Sequence, residues 1–150
     1  MPGTYTQLAI HAVFSTKARQ PWIDRDVAER LYPYIGGIAR NEKCLLYQIG
    51  GVEDHIHLYI RVRPDLSVSD LMRTIKSRSS RWIHESFPNL PQFAWQEGYG
   101  AFTVSKSQDE AVRRYIEHQA EHHKQEDFKS ELLRILRAHD VDFEERFVFD

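Results

Sequence analysis

Hydrophobic and polar residues alternate most sharply in "HIHLYIRV", where Ile56, Leu58, Ile60 and Val62 fall on one side and His55, His57, Tyr59 and Arg61 on the other. That is the period of a strand with one buried face. The same period runs through "TYTQLAIHAVFS", with Leu8, Ile10, Ala12 and Phe14 facing one way and Gln7, Ala9, His11 and Val13 the other. "KCLLYQIGGV" reads as a strand ending near a glycine pair, and "AFTVS" as a fourth, short strand reached through the proline- and glycine-rich loop "FPNLPQFAWQEGYGAF".

Between these strands the period changes to that of a helix. Asp24 is placed to cap a helix through Val27, Leu31, Ile35 and Ile38, which Pro33 should kink and Gly36-Gly37 weaken. Ser67 and Asp70 resemble a cap for a second helix, whose stripe is Val68, Leu71, Met72, Ile75, Ser79, Trp82, Ile83 and Phe87. A capping box at Ser107-Gln108-Asp109-Glu110 opens "EAVRRYIEHQAEHHK", predicted to bury Val112, Ile116 and Ala120. A last helix uses Phe128, Leu132, Ile135, Leu136 and His139. "ERFVFD", with Phe147 and Phe149, alternates like a strand but is short.

The first six elements follow the order of a ferredoxin-like split βαβ fold. This is an α+β class with a mostly antiparallel sheet and helices on one face, here extended by two carboxyl-terminal helices. Such a sheet leaves its other face for function or for a partner, and His55 and His57 project from that face. With 150 residues, 41% of them hydrophobic, the chain suits one domain over 1–150. No apolar run is long enough to span a membrane and no leader is evident, so a soluble cytoplasmic protein is expected. Cys44, the single cysteine, sits in an apolar run and reads as a buried structural thiol.

The net charge of −2 does not announce a nucleic-acid binder, but the charge is unevenly spread. Arg61, Arg63, Arg73, Lys76, Arg78 and Arg81 stand against only Asp65 and Asp70, whereas the carboxyl end is acidic. Basic runs are usually solvated faces, and this one needs further chemistry beside it before it points to phosphate.

Two residues apart on a strand, His55 and His57 point the same way about 7 Å apart, close enough to share a metal ion. Two ligands do not make a site. Tyr115 and Gln119, four residues apart on the predicted helix, share a face, with His118 and His122 nearby. Tyr115 also fits as an amphipathic residue at a core boundary. If it is reactive, its hydroxyl, with a free pKa of about 10, needs a cation at the phosphate it attacks, which two histidines and the Gln119 amide oxygen would hold.

"EDHIHLYI" matches the His-hydrophobic-His motif, and "RRYIEHQAEHH" the Tyr-three-residues-Gln pattern, of the single-tyrosine HUH transposases, which the chain resembles. These are the insertion-sequence-200-like enzymes and the related REP-associated tyrosine transposases. "HAVFSTKARQP", "LMRTIKSRSSRWI", "WQEGYGAF" and "DFEERFVFD" extend the likeness over nearly the whole chain. The resemblance implies that Tyr115 is the nucleophile on a catalytic helix, and that His55, His57 and Gln119 bind a divalent metal, magnesium or manganese. Imidazole ligands suit manganese better. It further implies cleavage of single-stranded DNA through a 5′-phosphotyrosine, rejoining by a 3′-OH, recognition of hairpins at element ends and a homodimer whose tyrosine helices can be exchanged. The cell would be bacterial or archaeal. Arg61, Arg63, Arg73, Lys76, Arg78 and Arg81 are the candidate DNA contacts.

Two other readings compete. His118, Glu121 and His122 match the H-x-x-E-H pattern of inverted zinc peptidases, although that reading leaves His55, His57 and Tyr115 without a role. A non-catalytic hairpin-binding module is also compatible with this fold.

Overall fold

β1 (Ala9–Ser15) is buried at every position, on both faces, although its sequence alternates only weakly. A computed structural model describes residues 3–148 and shows why. β1 is a central strand of a four-stranded sheet in the order β2-β3-β1-β4, with β2 at Leu45–Val52, β3 at His55–Arg61 and β4 at Gly100–Thr103. All neighbours pair antiparallel, as the split βαβ order predicts.

α1 (Arg25–Asn41) and α2 (Val68–Ser86) cover one face. Their stripes, including Leu31, Ile35, Leu71, Met72 and Ile75, meet Ile10, Ala12 and Phe14 of β1 and Ile56, Leu58 and Ile60 of β3 in the main core. Both caps form as the sequence suggests: Asp24 accepts the Val27 N–H at 2.9 Å, and Ser67 the Asp70 N–H at 3.1 Å. α1 continues through Pro33 without a break. Proline removes one backbone donor there, while buried Leu31 and Ile35 on either side hold the helix to the sheet.

The other face is not left free. α3 (Asp109–Glu117), the short α4 (Gln119–His122) and α5 (Phe128–Ala138) form a second layer over it. Val13 and Phe102 meet Phe128, Leu132, Ile135 and Leu136 there, while Ala9 and Tyr59 meet Ile116. The helices of the split βαβ unit thus lie on one face as expected, and the carboxyl-terminal pair closes the other. Gly50 of β2 makes this closure possible, because a Cβ there would stand 2.3 Å from the Ile116 carbonyl oxygen.

Several local expectations are corrected. Leu8 lies before β1 and is exposed rather than core. The Ser107 capping box does not form: a short 3-10 turn spans Lys106–Gln108, and α3 starts with no side-chain cap. Asp109 is instead engaged by the Tyr59 hydroxyl at 2.7 Å and Arg113 Nε at 3.1 Å. The single helix predicted through Lys124 is broken at His118 (φ −102°, ψ 27°), so Gln119 is buried and Ala120 exposed. His139 caps α5 and is exposed, its ring stacked on Phe102 at 4.6 Å. The "ERFVFD" alternation is no strand, since Glu145–Val148 forms a helical turn, α6, and Phe149 lies outside the described residues. Cys44 is buried and free.

Candidate metal and tyrosine site

β3 sets the histidines on the face that α3 to α5 cover, and both are fully buried. Each has its Nδ1 engaged on the outer side. His55 Nδ1 lies 2.7 Å from Asp54 Oδ1, and His57 Nδ1 lies 2.7 Å from Nε2 of His11 on β1. Their Nε2 atoms therefore turn inward together. Such outer partners fix the tautomer and orientation of imidazoles that hold metals.

The inward side is closed by residues from the second layer. His55 Nε2 lies 3.2 Å from Gln119 Oε1 and 3.2 Å from Glu131 Oε1. His57 Nε2 and His123 Nε2 are each 3.1 Å from the same Glu131 oxygen. Three imidazole nitrogens thus converge on one carboxylate oxygen, and Gln119 Nε2 donates to the other at 3.2 Å. The donor atoms of His55, His57, His123 and Glu131 lie within 4.8 Å of one another, a set able to hold a metal ion. Three nitrogens and a carboxylate suit a transition ion such as manganese, and fit magnesium less well.

Burial and charge set the protonation of this centre. Burial opposes charge on His55, yet its bonds to Asp54 and Glu131 outweigh that and raise its pKa to about 9. Burial prevails at His57, lowered to about 4, and at His11, lowered to about 3 with His57 adding to the effect. Glu131 is held ionised, because hydrogen bonds from His123, His55 and His57 overcome its burial.

Tyr115 reaches the same carboxylate from α3. Its hydroxyl donates to Glu131 Oε2 and accepts from Arg134 Nη2 at 3.0 Å, with His122 Nε2 3.5 Å away. Its ring stands edge-on to His57, centroids 5.7 Å apart. Burial, then Glu131, push the phenol pKa up, and Arg134 opposes them. The structure therefore brings Tyr115, His55, His57 and Gln119 together within one chain. Sequence reasoning missed His123, Glu131, Asp54, His11 and Arg134. A signal for Glu131 existed, since it sits three residues after Phe128 on the buried stripe of α5.

The six basic candidates are elsewhere. α2 lies across the sheet from the histidines, so Arg73, Lys76, Arg78 and Arg81 do not line the site. Arg63 and Arg78 approach Glu42, at 3.9 and 3.6 Å, and Arg73 pairs with Asp70 at 2.7 Å. Lys76 donates to the carbonyls of Glu97 and Gly98, and its burial lowers its pKa to about 8. Arg61 and Arg81 are exposed, Arg61 donating to the Thr6 carbonyl at 3.2 Å. Tyr59 is packed, 1% exposed, and not available to stack on a base. Of the peptidase pattern, His118 and Glu121 are exposed and outside the donor cluster.

An antiparallel sheet covered on both faces by helices, with a buried histidine and carboxylate cluster able to hold a metal ion and a half-buried tyrosine bridged to it, places the chain among α+β proteins. The chain belongs to the IS200-like transposase family, whose description, "Transposase IS200 like", matches residues 4–119. It is 36% identical over 119 residues to a transposase for insertion sequence element IS200 from Salmonella typhimurium, covering 76% of this chain and 78% of that one. It is 26% identical over 122 residues to the ISDra2 transposase TnpA of Deinococcus radiodurans, covering 78% and 87%. A crystal structure of a candidate transposase from Deinococcus radiodurans R1 superposes with a TM-score of 0.67 at 27% identity, covering 79% of this chain and 95% of that one. The fold is also that of a REP-associated tyrosine transposase bound to a REP hairpin, with a TM-score of 0.61 at 16% identity over 82% and 73%. Family membership implies enzymatic cleavage and transfer of DNA. Among the described residues no helix is long and apolar enough to cross a membrane.

Proposed function

We propose that the chain cuts and rejoins single-stranded DNA at hairpin-bearing element ends, with Tyr115 as nucleophile and a 5′-phosphotyrosine as intermediate. The observation that carries this reading is the shared carboxylate: Glu131 touches His55, His57 and His123 through one oxygen and the Tyr115 hydroxyl through the other. His55, His57 and Gln119 hold a divalent ion, manganese or magnesium, with His123 and Glu131 as further donors. When bound, such an ion offsets the charge that builds on the scissile phosphate.

The protein's own groups do the rest. Tyr115 Oη attacks phosphorus as the bond to the 3′-oxygen breaks, and Glu131 Oε2 is the nearest acceptor for the phenolic proton. The released 3′-OH later attacks the phosphotyrosine, so strands are rejoined without an external energy source. The chain works as one domain and as a homodimer, and the exposed Arg61, Arg73 and Arg81 contact hairpin phosphates, Arg73 by sharing or leaving its pair with Asp70; Arg63 and Lys76 donate to protein carbonyls, and Arg78 stands 3.6 Å from Glu42. The test is a labelled single-stranded hairpin oligonucleotide incubated with manganese. A covalent adduct that disappears in Tyr115→Phe supports the reading. Hairpin binding without adduct over several end sequences points instead to a binding module.

A further inference from the structure

The Tyr115 hydroxyl has two neighbours on α5, one turn apart, and they close opposite sides of it. Glu131 lies on the buried side and is fully enclosed. Arg134 lies on the outer side, its side chain about half exposed, with Nη2 3.0 Å from the tyrosine oxygen and Cζ 5.8 Å from the ring centroid. The guanidinium is not loose. Its Nε lies 3.3 Å from both oxygens of Glu126 and its Nη2 3.1 Å from one of them. Glu126 is itself anchored by His122 Nε2 at 2.7 Å.

Arg134 also faces a solvent-open cavity beside the tyrosine, of about 220 Å³ and lined by His11, Val112, Tyr115, Arg134 and His139. Attack by a phenol oxygen on a phosphodiester concentrates negative charge on the nonbridging oxygens. A guanidinium already fixed at the attacking atom stabilises that charge without reorganising, and its planar fork matches the phosphoryl oxygens.

We propose that Arg134 is a catalytic residue of this site, a cation that binds a nonbridging oxygen of the scissile phosphate and of the phosphotyrosine formed from it. The inference rests on the reading of Tyr115 as nucleophile. In the step, the Tyr115 Oη–P bond forms as the P–O3′ bond breaks. The phenolic proton leaves the tyrosine, the 3′-oxygen takes one up from water, and Arg134 keeps its protons throughout. The competing role is structural, with the Arg134–Glu126 pair merely clipping α5 to the segment after α4.

The experiment measures single-turnover adduct formation on a hairpin oligonucleotide with manganese, beside hairpin affinity and manganese affinity, for the full chain. Arg134→Ala is expected to slow adduct formation by about 100-fold, to lower hairpin affinity far less than that, and to leave manganese affinity unchanged. Arg134→Lys should recover part of the rate, and added methylguanidinium should rescue Arg134→Ala but not Tyr115→Phe. A wild-type rate in Arg134→Ala overturns the inference, as does a slowed variant that neither methylguanidinium nor lysine restores. Should Arg134→Ala fold poorly by circular dichroism, Glu126→Gln decides. It breaks the clip but keeps the cation, so a loss equal to that of Arg134→Lys or greater assigns the effect to structure and overturns the inference. If the wild-type protein forms no adduct, the nucleophile reading falls and this inference with it. An adduct in the wild type and an equal one in Arg134→Ala removes only the inference.

Discussion

Nε2 of His11 lies 2.7 Å from Nδ1 of His57, and both imidazoles are buried between the sheet and the α3–α5 layer. For His57 to offer Nε2 to a metal ion in place of its bond to Glu131, its proton must sit on Nδ1, where Nε2 of His11 is placed to accept it and so to select this tautomer. His11 is thereby a positioning residue. We expect His11→Phe to weaken manganese binding by about 10–100-fold, and His11→Gln, which keeps an acceptor, to weaken it less. Calorimetric titration with manganese measures this without any DNA, and equal losses in both variants would show that packing rather than the hydrogen bond is responsible.

Glu131 carries a different load. It is a fully buried carboxylate whose charge is balanced by His55, with its raised pKa, beside the imidazoles of His57 and His123. Removing one partner of a buried ionic group leaves the remainder uncompensated, which costs about 3–5 kcal/mol. Glu131→Ala should lose stability on that scale in urea denaturation with chelator present. A loss no larger than that of an exposed-site control such as Glu117→Ala would mean that the centre does not depend on this carboxylate.

How much of this was legible without coordinates differs element by element. β3 and its two histidines were, because a period of two states which side chains share a face regardless of the rest of the fold. Tyr115 and Gln119 were legible as a pair, but the break at His118 was not, since nothing in "YIEHQAEHH" marks it, and an unbroken helix buries Ala120 rather than Gln119. His123 and Glu131 come from that same change of direction, which brings α5 back over the sheet. Glu131 was visible only as a charge in an apolar stripe. The basic segment shows the opposite limit. Its charge is a local property of the chain, but its distance from the histidines depends on which sheet face α2 covers.

Gly50 tests whether the two layers must approach as closely as they do. A methyl group at this position would meet the Ile116 carbonyl oxygen at 2.3 Å, a backbone atom that cannot rotate away. Gly50→Ala must therefore push α3 outward, at an overpacking cost of about 1–3 kcal/mol, and Tyr115 and Gln119 move with it. Adduct formation should fall more steeply than hairpin binding. If thermal stability and adduct rate both match the wild type, the close contact is not needed.

The exposed arginines call for a test that separates phosphate contact from catalysis. Arg73 and Arg81 lie on α2, across the sheet from Tyr115, so they can affect DNA only through binding. A side chain that neutralises one phosphate contributes about 0.7–0.9 to the slope of log affinity against log salt. Arg73→Ala and Arg81→Ala should each flatten that slope for a hairpin oligonucleotide by about this amount, and weaken all sequences alike. The single-turnover rate at saturating DNA should not change. For Arg73 the effect is set against its 2.7 Å pair with Asp70, which must be broken or shared on binding, so its slope change is expected to be the smaller of the two. An unchanged slope in both variants would place the hairpin on another face of the molecule.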